Sequence, residues 1–115
     1  MTDNARVDLD TRDWHRAGTG LPELRMFVDY GCRSPLWMRA DDGGGRGVPL
    51  EALPLPGDLR AALRAWCRFF DENYDWQTGW TNPRTEALFA DMGRGLYERT
   101  ARVLQGRFTV VPRFE

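Results

Sequence analysis

The sequence predicts an α+β domain, with two amphipathic helices packed on one face of a small antiparallel or mixed sheet of two to three strands. Three observations carry that class. Apolar and polar side chains alternate through "LRMFVDY", the period lengthens to three and four residues from Asp58, and "RFTVVPRF" returns to alternation. Residues 1–20 are polar and close with "AGTG", so they read as a flexible N-terminal arm that Trp14 tacks onto a single α+β domain spanning residues 21–115.

In the first strand Leu24, Met26, Val28 and Tyr30 face one way, and Arg25, Phe27 and Asp29 the other. Gly31 breaks it, and a short extended segment resumes around Leu36 to Met38. "DDGGGRG" reads as a flexible turn or hairpin tip. The prolines of "VPLEALPLPG" favour an extended crossing over a central strand. Helix one is marked by Leu59, Ala62, Leu63, Trp66, Phe70 and Tyr74 and runs to about Asn73. Asp58 is its expected N-cap, with Leu55 packing on the first turn as a staple.

Helix two opens with Asn82 as N-cap and Pro83 at the first helical position, where a missing N–H costs nothing. Its buried stripe reads as Leu88 or Phe89, then Met92, Leu96, Thr100 and Val103. Gly93 and Gly95 each weaken the helix by about 1 kcal/mol relative to alanine, which suggests close packing against a neighbour. Gly106 ends it. In the closing strand Phe108, Val110 and Pro112 share a face, and the proline confines the strand to a sheet edge or ends it.

A chain of 115 residues with 42% hydrophobic and 12% aromatic residues is expected to hold one core without disulfides or metal. The formal net charge is −1 with both signs interspersed, so no basic excess exists to neutralise a phosphate backbone, and nucleic acid is not an expected partner. All 16 basic residues are arginine, which removes a Schiff-base or P-loop lysine from consideration. The polar start "MTDNARVDLDTRDW" has no apolar signal region, and no apolar run approaches membrane-spanning length. A cytoplasmic protein with two reduced thiols, Cys32 and Cys67, is the expectation. Those cysteines and the single histidine, His15, form no zinc spacing, and no cofactor is expected.

The residues that carry catalysis elsewhere are scattered here, and no catalytic set emerges. His15 lies in the arm, and Ser34, the only serine, has no triad partner. Cys32 closes a strand beside Arg33, a cation that lowers a thiol pKa, but it lacks a helix N-terminus or an assured histidine. Asp41 and Asp42 occupy a mobile turn unsuited to fixed geometry. "GGGRG" lacks both the spacing and the lysine of a phosphate loop. Arg60, Arg64 and Arg68 form a ridge opposite the apolar stripe, which reads as a solvated face with carboxylate neighbours.

The segment "DENYDWQTGW" places oxygen side chains at Asp71, Asn73 and Asp75, as a calcium loop would. Counting from Asp71, however, the glycine of the sixth position is Trp76 and the bidentate glutamate of the twelfth is Asn82. The better reading is a corner between helices where Tyr74, Trp76 and Trp80 lie among Asp71, Glu72 and Asp75. Rigid aromatic area beside carboxylates also suits a basic partner surface.

Three segments carry a resemblance: "VDYGCRSPLW", "LPLPGDLRAALRAWCRFFDENYDW" and "LYERTARVLQGRFTVV". Together they resemble a group of small, mostly uncharacterised proteins from high-GC bacteria with a D-Y-G…P-L-W strand and turn, an L-P-L…W helix and a Y-D corner. Asp29, Tyr30, Gly31, Pro35, Leu36, Trp37, Leu53, Pro54, Leu55, Trp66 and Asp75 match that pattern, over about residues 24 to 111. Pro56 stands where a capping serine is usual, which leaves the cap to Asp58. The resemblance implies a fold more than an activity; similar small bacterial proteins turn up as immunity partners of toxins.

The resulting expectation is a non-catalytic protein–protein interaction domain, an immunity or antitoxin-like inhibitor with a toxin as its protein partner. Its contact residues are read as Trp37, Asp71, Tyr74, Asp75, Trp76 and Trp80. The alternative is a small enzyme or ligand-binding domain with a pocket near Cys32, Trp37 and Asp75.

Overall fold

The computed structural model describes residues 9–114, so residues 1–8 of the expected arm and Glu115 lie outside the described residues. Four strands form one sheet in the order β3-β2-β1-β6: β1 is Glu23–Met26, β2 Leu36–Arg39, β3 Gly45–Gly47 and β6 Thr109–Pro112. The β1–β2 and β2–β3 pairs are antiparallel, whereas β6 runs parallel to β1, with Glu23 opposite Thr109 and Met26 opposite Pro112. The sheet is thus mixed, as expected, but one strand larger. The additional strand is β3, whose three residues are all exposed and so leave no hydrophobic alternation to read.

Two helices cover one face of this sheet, α1 over Gly57–Asn73 and α2 over Pro83–Val103. Leu24 and Met26 from β1, Leu36 and Met38 from β2, and Val110 from β6 point into the core with Leu59, Leu63 and Trp66 of α1 and Phe89 and Leu96 of α2. Burial of each such side chain supplies roughly 1.5–3 kcal/mol. Trp14 is buried in the same core and leans on Phe108 at 5.9 Å, while its backbone bridges to Ala40. That tryptophan therefore anchors the segment before β1.

Asp58 does not cap α1. The helix begins two residues earlier, with Pro56 in the cap position and no side-chain cap bond, and Asp58 accepts a hydrogen bond from Arg99 of α2 at 3.0 Å instead. A proline immediately before the helix fixes an extended entry and needs no N–H, so the carboxylate is free to join the helices. Asn82 does cap α2: its Oδ1 accepts from the Thr85 backbone N–H at 2.8 Å, with Pro83 at the first position. Of the arginine ridge, Arg68 is exposed and Arg64 has the expected carboxylate neighbour, but Arg60 is docked. Arg60 donates to the carbonyls of Leu50 and Leu53, and Arg64 pairs with Glu51.

The buried stripe of α2 is Phe89, Gly93, Leu96 and Thr100. Leu88 and Val103 are exposed, the inward positions being taken by Phe89 at one end of the stripe and by Leu104, just beyond the helix, at the other. Gly106 then turns the chain at φ +85° toward β6. The two helical glycines differ in kind. A methyl group on Gly93 would stand 2.5 Å from Trp66 Cζ2 and 2.7 Å from Phe114 Cε2, whereas one on Gly95 meets nothing within 4 Å. Gly93→Ala is expected to destabilise the fold by about 1–3 kcal/mol through overpacking, despite its better helix propensity. Gly95→Ala is expected to stabilise it by up to about 1 kcal/mol. Urea titrations of the two variants should show shifts of opposite sign; shifts of the same sign would contradict this packing.

Candidate functional site

Helix α1 does not simply turn into α2. Its last residue leads into a two-stranded hairpin, β4 (Tyr74–Asp75) and β5 (Gly79–Trp80), in which Tyr74 pairs with Trp80. The turn of this hairpin consumes the carboxylate that suggested a cation loop. Asp75 Oδ1 accepts from the backbone N–H groups of Gln77 at 2.7 Å and Thr78 at 3.3 Å, and Gly79 closes the turn at φ +83°. An aspartate that bonds its own backbone two and three residues on is a turn-former.

The aromatic residues of the corner divide by environment. Phe70 stacks on Tyr74 at 4.9 Å and meets Trp80 edge-on at 5.7 Å, while Trp80 also lies 5.0 Å from Phe89 of α2. This cluster continues the core outward and holds the hairpin on both helices. Trp76, at the hairpin tip, is 72% exposed and belongs to none of these stacks. A cluster of interlocked rings thus positions the hairpin whose tip carries one ring in water.

The turn after β1 completes the corner. Asp71 Oδ1 accepts from the Gly31 N–H at 3.1 Å, and the Tyr30 hydroxyl donates to the Tyr74 carbonyl at 2.9 Å. Tyr30 itself is 43% exposed and packs against both Phe70 and Tyr74. Between this turn, the hairpin, α2 and the C-terminal residues lies an open groove of about 780 Å³. Aromatic rings line it, including Phe27, Tyr30, Tyr74, Trp76 and Trp80, with Asp29, Glu86, Arg94 and Arg113 at its margins. Tyr30 and Phe27 are contributors that the sequence reading left out; alternation alone placed them on opposite faces of one strand.

Trp37 does not join this corner. It points away from the helices, on the outer face of the sheet, where it stacks on Phe27 at 4.7 Å and donates its indole N–H to the Phe27 carbonyl. The alternative pocket is also divided. Cys32 and Trp37 line a separate cleft of about 490 Å³ with Glu51 and Arg64, while Asp75 sits in the hairpin turn.

The structure does bring together the two cysteines, which sequence spacing left unrelated. Cys32 Sγ and Cys67 Sγ stand 3.2 Å apart. Hydrogen bonding from the Cys67 thiol favours the Cys32 thiolate and, against the opposing effect of burial, lowers its pKa to about 7. The same shared proton and burial drive the Cys67 thiol strongly upward.

Among the described residues, no group of three or more histidine, cysteine, aspartate or glutamate side chains is placed to hold a metal ion. Nor is any helix there long and apolar enough to cross a membrane. Two outcomes are expected. Calcium at about 10 mM should leave the melting temperature unmoved, since ligand binding to the native state would raise it. Alkylation of the native protein should modify Cys32 alone with a pH midpoint near 7, as set by its lowered pKa. Mass spectrometry across a pH series reads this; a midpoint above 8.5, the ordinary thiol range, would contradict the thiol pairing.

A profile of Serratia CdiI immunity protein-like proteins matches residues 22–112, from the residue before β1 to the end of β6. No curated protein matches the chain.

Proposed function

The chain belongs to the Serratia CdiI immunity protein-like family, and from that premise we propose that it is an immunity protein, a non-catalytic inhibitor that neutralises a toxin by binding it. The contact surface in this reading is the corner formed by Tyr30, Asp71, Tyr74, Asp75, Trp76 and Trp80, with Trp37 outside it on the far face of the sheet. One observation carries the assignment: Trp76 is held 72% exposed at the tip of a hairpin whose base is locked into the core.

The hairpin beneath the indole is already positioned by the core, so a partner that covers Trp76 gains apolar burial without having to order that backbone. Tryptophan is among the residues most enriched at the energetic centres of interfaces. The adjoining groove offers a concave surface beside that convex anchor. Asp71, Glu72 and Asp75 are exposed around it, so the complementary toxin surface is basic and the association rate falls as salt rises.

Co-expression with any toxin gene found beside its own tests neutralisation, and titration calorimetry of the purified pair tests the surface. Wild-type protein should restore growth. Trp76→Ala should weaken binding by about 10-fold or more, the loss of a contact worth over 1 kcal/mol, while leaving the melting temperature within a few degrees. Binding within twofold of wild type would move the contact surface elsewhere. Failure of the wild-type chain to protect would remove the immunity reading itself.

A further inference from the structure

We propose that Cys32 and Cys67 form an oxidisable dithiol, a modification site at which a peroxide converts the two thiols into an intramolecular disulfide tying the β1–β2 turn to α1. The two residues lie 35 positions apart in the chain, yet their sulfurs are 3.2 Å from one another. The juxtaposition is held by more than the sulfurs. One helical turn beyond Cys67, Asp71 binds the Gly31 N–H, and the Tyr30 hydroxyl reaches the Tyr74 carbonyl beyond that. The turn from Tyr30 to Cys32 thus runs along one face of α1, fastened at successive helical turns. Closure needs the sulfurs to approach by only about 1 Å to reach bonding distance. Gly31, at φ +66° and with no atom near its missing Cβ, sits next to Cys32 in the segment that would adjust.

The two thiols have the unequal character that such chemistry uses. Cys32 is partly exposed and lines the cleft beside Trp37, Glu51 and Arg64, so a small oxidant can reach it. Its pKa, lowered to about 7, provides substantial thiolate at neutral pH. Cys67 is buried at 3% exposure and protonated, the arrangement of a resolving thiol rather than an attacking one. In the first step the Cys32 thiolate attacks one peroxide oxygen. The O–O bond breaks, and Cys32 becomes a sulfenic acid while the other oxygen leaves as hydroxide, which is protonated to water. Cys67 sulfur then attacks Cys32 sulfur. The S–S bond forms, the S–O bond breaks, and the Cys67 proton leaves with the hydroxyl as water. In sum, two thiols and one hydrogen peroxide give one disulfide and two waters.

The bond would close a loop of 35 residues, restricting the unfolded chain, and is expected to raise the melting temperature by about 10 °C. It would also stiffen the Tyr30 turn at the edge of the aromatic corner; that consequence for toxin binding rests on the function proposed above.

The test uses the full chain treated with hydrogen peroxide at neutral pH. Intact mass should fall by two hydrogens, both free thiols should disappear, and the melting temperature should rise, all reversed by dithiothreitol. With Cys67→Ser, the resolving sulfur is absent, and dimedone should trap a sulfenic acid on Cys32. With Cys32→Ser, peroxide at the same dose should leave Cys67 unmodified. Stable oxygen adducts on Cys32 in the wild-type chain, a dimer linked between chains, or two thiols still free after treatment would each overturn the proposal. Toxin affinity measured on reduced and oxidised protein is a separate reading. If the disulfide forms but affinity is equal in the two states, the dithiol stands and only its influence on the corner falls.

Discussion

Trp66 is where the parts of this molecule meet. It is fully buried on α1, stacks on Phe89 of α2 at 4.6 Å with nearly parallel planes, and donates its indole N–H to the Phe89 carbonyl at 2.9 Å. Phe114, after β6, closes edge-on against it at 5.2 Å. One side chain therefore sets the spacing between helices and the path of the chain end. The hydrogen bond matters as much as the area, because a buried indole N–H without an acceptor costs roughly 1–3 kcal/mol. Gly93 is the counterpart of this ring: only a residue without a side chain leaves room for it. Phe89 then passes the packing outward to Trp80 and Phe70, so the corner hairpin inherits its position from the core.

That inheritance explains how a hairpin carrying an exposed tryptophan can be held in place on a small protein. The hairpin has two paired residues on each side, far too few to be stable alone in water. It persists because Tyr74 and Trp80 are ring contacts of Phe70, and because Asp75 satisfies the turn's backbone N–H groups. The carboxylates of the corner likewise have local tasks. Asp71 and Asp75 each use one oxygen on backbone N–H groups, leaving the second oxygen as the outward acceptor.

Both helices were legible because their apolar periods are long and their stripes are buried on one side. Asn82 and Pro83 marked the start of α2 by chemistry that is wholly local. Strand β3 was not legible, since an exposed edge of Gly45, Arg46 and Gly47 has no buried face to leave a pattern. The start of α1 misled for a related reason: Asp58 looks like a cap, but its hydrogen-bonding partner, Arg99, is 41 residues away. The corner was visible as composition and not as geometry. Nothing local distinguishes Trp76 from Trp80, and only the alternation of Leu36, Trp37 and Met38 separates Trp37 from the helix-covered face. The meeting of Cys32 and Cys67 is purely tertiary. It follows from how the turn after β1 lies along α1, which no spacing rule encodes.

The parallel pairing of β6 with β1 has a consequence for the chain during its synthesis. β1 pairs with β2, its near neighbour in the chain, but its other edge stays open until residues 109–112 are available. Such long-range pairing slows folding, because most of the chain must be arranged before it is rewarded. Until β6 pairs, the sheet keeps a bare margin at β1, the kind of margin that neighbouring chains add to. Pro112, at the end of β6, lacks the N–H that a further strand would use. Once β6 has paired, its outer margin, short of one N–H at Pro112, takes the place of the bare edge of β1, while β3 remains the other edge of the sheet.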